Sequence, residues 1–272
     1  MKSKDVKKIR CPLCGSKTQK NIRKNIGLTV VKCSCGLYFV NPQPTKIFLL
    51  KWYNESFYYN PKSKENITRE NRNNRVHQKV YEIIVSSKNK GNILDIGCGP
   101  GSLLDYFDKK KYSLTGTEYS DIEIKKAKKI TQDIYKGDFL NIHFHKKFDI
   151  ITMTEVLEHT QKPFDYLKKI YSDLNNNGLI VITVPNNDWM LMKGYKNDLT
   201  TMHLFYFNKK NMSEFLKKSG FKDIKFDINW KANYYENWYK TLVIQINQIV
   251  SLILFKTTGL YKGSGIIVSA RK

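Results

Sequence analysis

Four of the chain's five cysteines fall within its first 35 residues: Cys11 and Cys14 in "CPLCG", and Cys33 and Cys35 in "CSCG". Thiolates clustered in this way read as metal ligands rather than as disulfide partners when the compartment is reducing. One pair is separated by two residues and the other by one, with 18 residues between the pairs. That is one residue short of the doubled Cys-x-x-Cys of a zinc ribbon. The Cys-x-Cys chelate is tighter yet still reaches two corners of a tetrahedron, and a glycine after each pair frees the backbone to turn under a metal. The first histidine is His77, so a closed four-ligand site uses all four thiolates. The expectation is one structural zinc on Cys11, Cys14, Cys33 and Cys35.

A second set of chemical groups begins at "LDIGCGPG", where Asp95 precedes the glycines Gly97, Gly99 and Gly101. A glycine turn between strand and helix offers backbone N–H groups to a ligand. The dinucleotide fingerprint wants its third glycine where Ser102 stands. Glu118 lies 21 residues after Gly97, the distance at which an acid accepts hydrogen bonds from ribose hydroxyls. Further on come Asp138 and Phe139 in "KGDF", Glu155, Glu158 and His159 in "EVLEH", and His203 in "TTMHLFYF". A histidine near its ordinary pKa accepts protons at neutral pH. If "EVLEH" is helical, Glu155, Glu158 and His159 share one face at i, i+3 and i+4, and two carboxylates with water would suit Mg²⁺.

These groups need a scaffold. From Gly91 onward, strand-like runs ("NILDIG", "YSLTGTE", "QDIYKGDF", "FDIITM", "GLIVITV", "FKDIKFDI", "GIIVSA") alternate with helix-like stretches near 102–109, 121–130, 163–174 and 208–219. The pattern predicts an α/β fold: a Rossmann-like, seven-stranded, mostly parallel sheet with helices on both faces and its ligand crevice at the carboxyl ends of the strands. Three segments are expected: a zinc ribbon over 1–45, closed by the prolines of "NPQP"; a helical connector or lid over 46–90; and a core over 91–272 with an insertion at 230–262.

From Gly91 to its end the chain resembles class I S-adenosylmethionine-dependent methyltransferases, through "LDIGCGPG", "GTEYS", "GDF", "FDIITMTEVLEH", "LNNNGLIVITVPN" and "SARK". The resemblance implies that S-adenosylmethionine is the cofactor. It assigns the methionine part to Asp95, Gly97, Gly99 and Gly101, the ribose to Glu118 with Tyr119 beside it, and the adenine to Asp138 and Phe139. It also implies orientation of the acceptor and, for a hydroxyl, proton removal. His203 and His159 are the candidate bases, with Glu155 beside them, and His203 lies on the side that faces the acceptor. With "CPLCG", "KCSCGLYFVNPQP" and "WYNESFYY" added, the chain is similar to zinc-ribbon methyltransferases of bacterial surface-polysaccharide and deoxysugar biosynthesis. Sugar C-methyltransferases of that lineage carry a further C-terminal domain, whereas this chain stops at the core's last strand. O-methylation of a sugar, nucleotide sugar or glycan is therefore the expected reaction, with a quinone or other lipid acceptor as the alternative.

The formal net charge of +23 favours an anionic acceptor, although scattered lysines also make an ordinary solvated surface. A zinc-ribbon nucleic-acid-binding protein or RNA methyltransferase is the rival reading. It is supported by Trp52, Tyr53, Phe57, Tyr58 and Tyr59 as stacking surfaces, and opposed by the lack of any base-reading motif. No secretory signal is legible, and the longest apolar tract, 242–255, is short of the ~20 residues a bilayer needs. The expected location is the cytoplasm. In the insertion, Leu242, Ile246, Ile249, Ile253 and Leu254 form an apolar helix face beside Trp230, Trp238, Tyr239 and Lys240. Such a face suits peripheral contact with the inner membrane surface, or packing on its own domain or a second subunit, so monomer and dimer both stand.

Overall fold

A computed structural model of the chain describes residues 5–25, 28–49, 51, 64–188, 202–229 and 265–272. The expectations for the aromatic stretch 52–59 and for the insertion at 230–262 lie outside the described residues.

At the N-terminus, short β1 (Val6–Lys7) pairs with β5 (Gln43–Pro44). Between them β2 (Gln19–Asn25), β3 (Leu28–Cys33) and β4 (Tyr38–Val40) form an antiparallel meander. The polar run "NPQP" is fixed by Asn41, whose side chain accepts from the Ile9 N–H and donates to the Ile9 carbonyl, both at 3.0 Å. Helix α1 (Lys64–Ser87) follows, then β6 (Gly91–Ile96), β7 (Tyr112–Glu118), α2 (Asp121–Ala127), β8 (Ile134–Lys136), β9 (Phe148–Thr154), α3 (Pro163–Asp173), β10 (Leu174–Pro185), β11 (Phe205–Tyr206), α4 (Lys209–Lys218), β12 (Lys222–Asn229) and β13 (Gly265–Arg271).

The seven predicted strands form one sheet in the order β12-β13-β10-β9-β6-β7-β8. All run parallel except β13, which is antiparallel to both its neighbours. The central strands are apolar on both faces because both faces are covered. Leu94, Ile96, Ile151, Met153, Ile180 and Ile182 point to one side, and Ile93, Ile150, Leu179 and Val181 to the other. Helix α1 covers the second side through Val76, Val80 and Ile84, one turn apart and buried. Helices α3 and α4 cover the first. Local signals start these helices: Ser120 caps α2, Pro163 opens α3, and Asn208 with Asn211 forms a capping box on α4. The helix expected at 102–109 is only a three-residue 3₁₀ turn, Leu104–Tyr106, because Phe107 turns extended so that Leu103, Leu104 and Phe107 can all bury.

The cysteine-bearing strands do not stand apart from this sheet. Strand β11, from the core, completes their sheet in the order β11-β4-β3-β2. Phe39 stacks on Phe205, and Leu28, Val30, Leu37 and Phe39 belong to the same apolar cluster as Phe207, Phe215 and Leu216. The Lys218 ammonium donates to the Leu13 carbonyl at 2.9 Å.

Candidate active site

The glycine turn leaves the carboxyl end of β6. Gly97, Gly99 and Gly101 have φ of 70°, 53° and 85°, the left-handed region that costs a side-chain-bearing residue about 1–2 kcal/mol. Sterics add to this: a Cβ on Gly97 would meet Val156 at 2.6 Å, and one on Gly101 would meet Ile130 at 2.8 Å. A Cβ on Gly99 would meet nothing within 4 Å, so open space lies over the middle of the turn. The Glu118 carboxylate, at the end of β7, accepts the Gly99 N–H at 2.9 Å and the N–H groups of Tyr119 and Ser120 at 2.7 and 3.0 Å. The acid and the glycine turn are therefore one assembly.

Asp95 is 1% exposed. Its Oδ1 accepts from the Thr152 hydroxyl at 2.7 Å, while Oδ2 has no hydrogen-bond partner among the described residues. Burial, reinforced by the negative charge of Glu118 and offset by Thr152, pushes its pKa up to about 7. Asp138, after β8, is different. Burial works against its charge, but the Lys46 ammonium at 2.9 Å, the Tyr166 hydroxyl at 2.8 Å and the Leu140 N–H hold it below the ordinary carboxylate range. Phe139 beside it is fully buried, whereas Tyr119 is 46% exposed. Burial and Asp138 hold the Tyr119 hydroxyl protonated above its ordinary range. Lys46, Tyr166 and Thr152 were not legible in the sequence, since nothing local ties them to these acids.

The "EVLEH" segment follows β9 and does not form the expected helical face. Glu155 is left-handed at φ 55°, Val156 is non-helical, and only Leu157–His159 makes a single 3₁₀ turn. The Glu155 carboxylate accepts from the Thr183 hydroxyl at 3.2 Å. Glu155, Glu158 and His159 are thus not brought together as a ligand set. Instead Glu158, His159 and His203 converge, each with a ligand atom within 4.8 Å of the others. Glu158 is 1% exposed, and its Oε1 lies 3.9 Å from His159 Nε2. The rings of His159 and His203 meet edge to face at 4.8 Å, and His159 Nδ1 is 3.3 Å from the Met202 carbonyl. Val156, three residues before His159, lies against Gly97, so the "EVLEH" segment borders the glycine turn. Two clefts among the described residues, of about 630 and 490 Å³, lie elsewhere, at the α4–β12 edge and at the amino ends of β6 and β7.

The four thiols meet as expected, within 4.8 Å of one another. Cys11 and Cys35 are 3.6 Å apart and Cys14 and Cys33 are 3.4 Å apart, against about 3.8 Å across a tetrahedral Zn–S₄ centre with its bonds near 2.3 Å. Gly15 and Gly36 turn at φ 74° and 90°, donating back to the Cys11 and Cys33 carbonyls. Burial raises the Cys33 thiol, but the Cys35 N–H and the Cys14 and Cys11 thiols outweigh it and bring its pKa to about 7. The donor set fits zinc. Among the described residues, no helix is long and apolar enough to cross a membrane.

Comparison with known proteins identifies the core. A family model described as a methyltransferase domain matches residues 68–225. The mitochondrial ubiquinone biosynthesis O-methyltransferase of Schizosaccharomyces pombe is 33% identical over 100 residues, covering 34% of this chain and 36% of that protein. The ubiquinone biosynthesis O-methyltransferase of Bradyrhizobium diazoefficiens is 30% identical over 103 residues, covering 36% and 41%. The chain thus spans well under two thirds of these relatives. Among solved structures, a SAM-dependent methyltransferase from Archaeoglobus fulgidus superposes with a TM-score of 0.54 at 20% identity, over 84% of this chain and 100% of that one. Magnesium protoporphyrin IX methyltransferase from Synechocystis, with bound S-adenosylhomocysteine, gives 0.58 at 12% identity, over 84% and 100%. The chain belongs to the methyltransferase domain family and has the fold of S-adenosylmethionine-dependent methyltransferases.

Proposed function

We propose that the protein transfers the methyl group of S-adenosylmethionine to a hydroxyl oxygen of a phenolic, quinol-type acceptor. The observation that carries this is a glycine turn held by Glu118 and bordered, through Val156, by the segment that carries His159, whose ring meets that of His203.

The residues present fit the cofactor. Space is open over Gly99, Glu118 can accept from ribose hydroxyls, and Asp138 with Phe139 can frame the adenine. The vacant Asp95 Oδ2 would accept the α-ammonium of the methionine part, the one cationic nitrogen able to satisfy a buried carboxylate. Once bound, the cofactor supplies a methyl group already activated by its sulfonium. The chain's own task is then alignment of the acceptor oxygen, which supplies much of the acceleration, and removal of its proton. His203 takes that proton. His159 orders the loop against the Met202 carbonyl and presents its ring edge to His203.

The quinol reading is favoured by the names of the two relatives described above, each a ubiquinone biosynthesis O-methyltransferase. A sugar hydroxyl is the second reading, favoured by the four-cysteine module, which lies outside the matched segment 68–225. The zinc on that module and a peripheral place at the membrane's inner face belong to the same proposal. Incubation with labelled S-adenosylmethionine and either 3,4-dihydroxybenzoate or a set of nucleotide sugars separates the acceptors. Label in the catechol fraction alone supports the quinol reading, and label in the sugar fraction replaces it.

A further inference from the structure

His203 sits in the segment 202–207, whose far end is held at Phe207 by the Asn187 N–H and by Phe215 of α4, and whose nearer contacts run to two further places. On one side it reaches the "EVLEH" turn: the Leu204 N–H donates to the Glu158 carbonyl at 2.8 Å, and the Met202 carbonyl lies 3.3 Å from His159 Nδ1. On the other it reaches the cysteine module. Phe205 and Tyr206 pair with Phe39 and Tyr38 of β4, and the Val40 N–H donates to the Leu204 carbonyl at 2.8 Å. Among the described residues, β4 is the sole strand that β11 pairs with. Strand β4 is in turn set by the turn that carries two cysteines. The Cys33 N–H donates to the Leu37 carbonyl at 2.9 Å, closing the β3–β4 hairpin around Cys33 and Cys35, while Val31 pairs with Phe39.

We propose that the four-cysteine module is a positioning element of the active site, holding His203 against His159 through β4 and β11. The cysteines touch neither histidine, so the module acts through backbone pairing and through the Phe39–Phe205 stack. The glycine turn, Glu118 and Asp95 are built on β6 and β7, which lie in a different sheet from β4, while Asp138 is tied to Lys46 just after β5. Releasing the metal should therefore detach the acceptor side of the site and leave the glycine turn, Glu118 and Asp95 in place. The cysteine module lies outside the matched family segment, residues 68–225. This chain would thus complete its acceptor site with residues that the general methyltransferase domain does not include. The inference rests on the reading of His203 as the acceptor-side base.

The test uses the full chain with isotope-labelled histidines, loaded with zinc or with cobalt, whose tetrahedral thiolate absorption reports the metal directly. In the metal-loaded protein, a through-space cross-peak should join the His159 and His203 rings. Chelation should abolish that cross-peak and lower methyl transfer to 3,4-dihydroxybenzoate by ~10²-fold, the scale of a misplaced catalytic group. S-adenosylhomocysteine affinity should fall far less than turnover, because the ribose and methionine contacts are carried by β6 and β7. Zinc should restore both losses. Val40→Pro, which deletes the N–H donated to Leu204, should give the same losses while the cobalt spectrum stays unchanged. A cross-peak that survives chelation would overturn the proposal, as would a chain that holds no metal. Parallel collapse of cofactor affinity would overturn it too, since the module would then be supporting the whole fold. Full turnover of His203→Ala, with the cross-peak still metal-dependent in the unsubstituted chain, would remove the base assignment and leave the positioning in place.

Discussion

Binding of S-adenosylhomocysteine should expel a proton from Asp95, and Asp95→Asn should abolish that exchange. In the unliganded protein the buried Asp95 carboxyl has its pKa at about 7, raised from 3.8 by burial with a contribution from Glu118. At pH 6 it therefore carries about 0.9 proton, and at pH 8 about 0.1. If the ligand's α-ammonium occupies the vacancy at Oδ2, it favours the ionised form, and the proton leaves on binding. Calorimetric titrations in buffers of different ionisation enthalpy should give release of about 0.9 proton at pH 6 and about 0.1 at pH 8. Affinity should then weaken about tenfold per pH unit below 7. The same shift governs the free protein. A raised folded-state pKa gives stability that is present below pH 4 and is lost as pH rises through 7. With roughly three units between the two states, the loss approaches about 4 kcal/mol. In Asp95→Asn the Thr152 bond is kept and the charge is gone, while an unpartnered amide N–H costs about 1–3 kcal/mol. The variant should thus be more stable than the parent at pH 8, by about 1–3 kcal/mol, and less stable at pH 4. Equal proton release from the parent and Asp95→Asn, or none from the parent at pH 6, would refute the assignment of Asp95 to the ammonium.

Glu118→Ala removes the acceptor for three backbone N–H groups and for the ribose, and should weaken S-adenosylhomocysteine binding by about 1.5–3 kcal/mol; unchanged calorimetry would take Glu118 out of the site. His203→Ala should lower turnover by ~10²–10⁴-fold, as for a lost general base, with cofactor affinity nearly unchanged; a full rate across the pH range would place the base elsewhere. His77 is half-buried on α1, and its desolvation, partly offset by Glu155, lowers its pKa to about 4 from 6.5. A depressed histidine costs stability as pH falls from 6.5 through 4, by about 3 kcal/mol. Acid denaturation of His77→Gln should lack that component, and an unchanged profile would contradict the burial argument.

The parts of the fold that announce themselves locally were legible in the sequence. The seven strands, the glycine turn and the four cysteines are each encoded within a few residues, by alternation, by glycine spacing or by Cys-x-x-Cys and Cys-x-Cys. What escaped was set by contacts distant in sequence. Lys46 reaches Asp138 across 92 positions, Thr152 reaches Asp95 across 57, and Phe205–Tyr206 pairs with Tyr38–Phe39. A two-residue strand carries no periodicity, so the joining of the cysteine module to the core had no local signal. The spacing of "EVLEH" predicts a helix, but Glu155 turns left-handed at the end of β9, which sends its carboxylate to Thr183. His203 took its place beside Glu158 and His159.

Methyl transfer from S-adenosylmethionine to a hydroxyl oxygen, with His203 on the acceptor side, is the proposed reaction. Its most direct test is a reaction of the zinc-loaded chain with S-adenosylmethionine carrying a ¹³C-methyl group and with 3,4-dihydroxybenzoate, followed by carbon NMR. The expected result is a methoxy carbon signal that grows with time, in step with S-adenosylhomocysteine, and is nearly lost in His203→Ala. Label bonded to carbon or nitrogen, or a cofactor left intact beside this catechol and every sugar tried, would contradict the account.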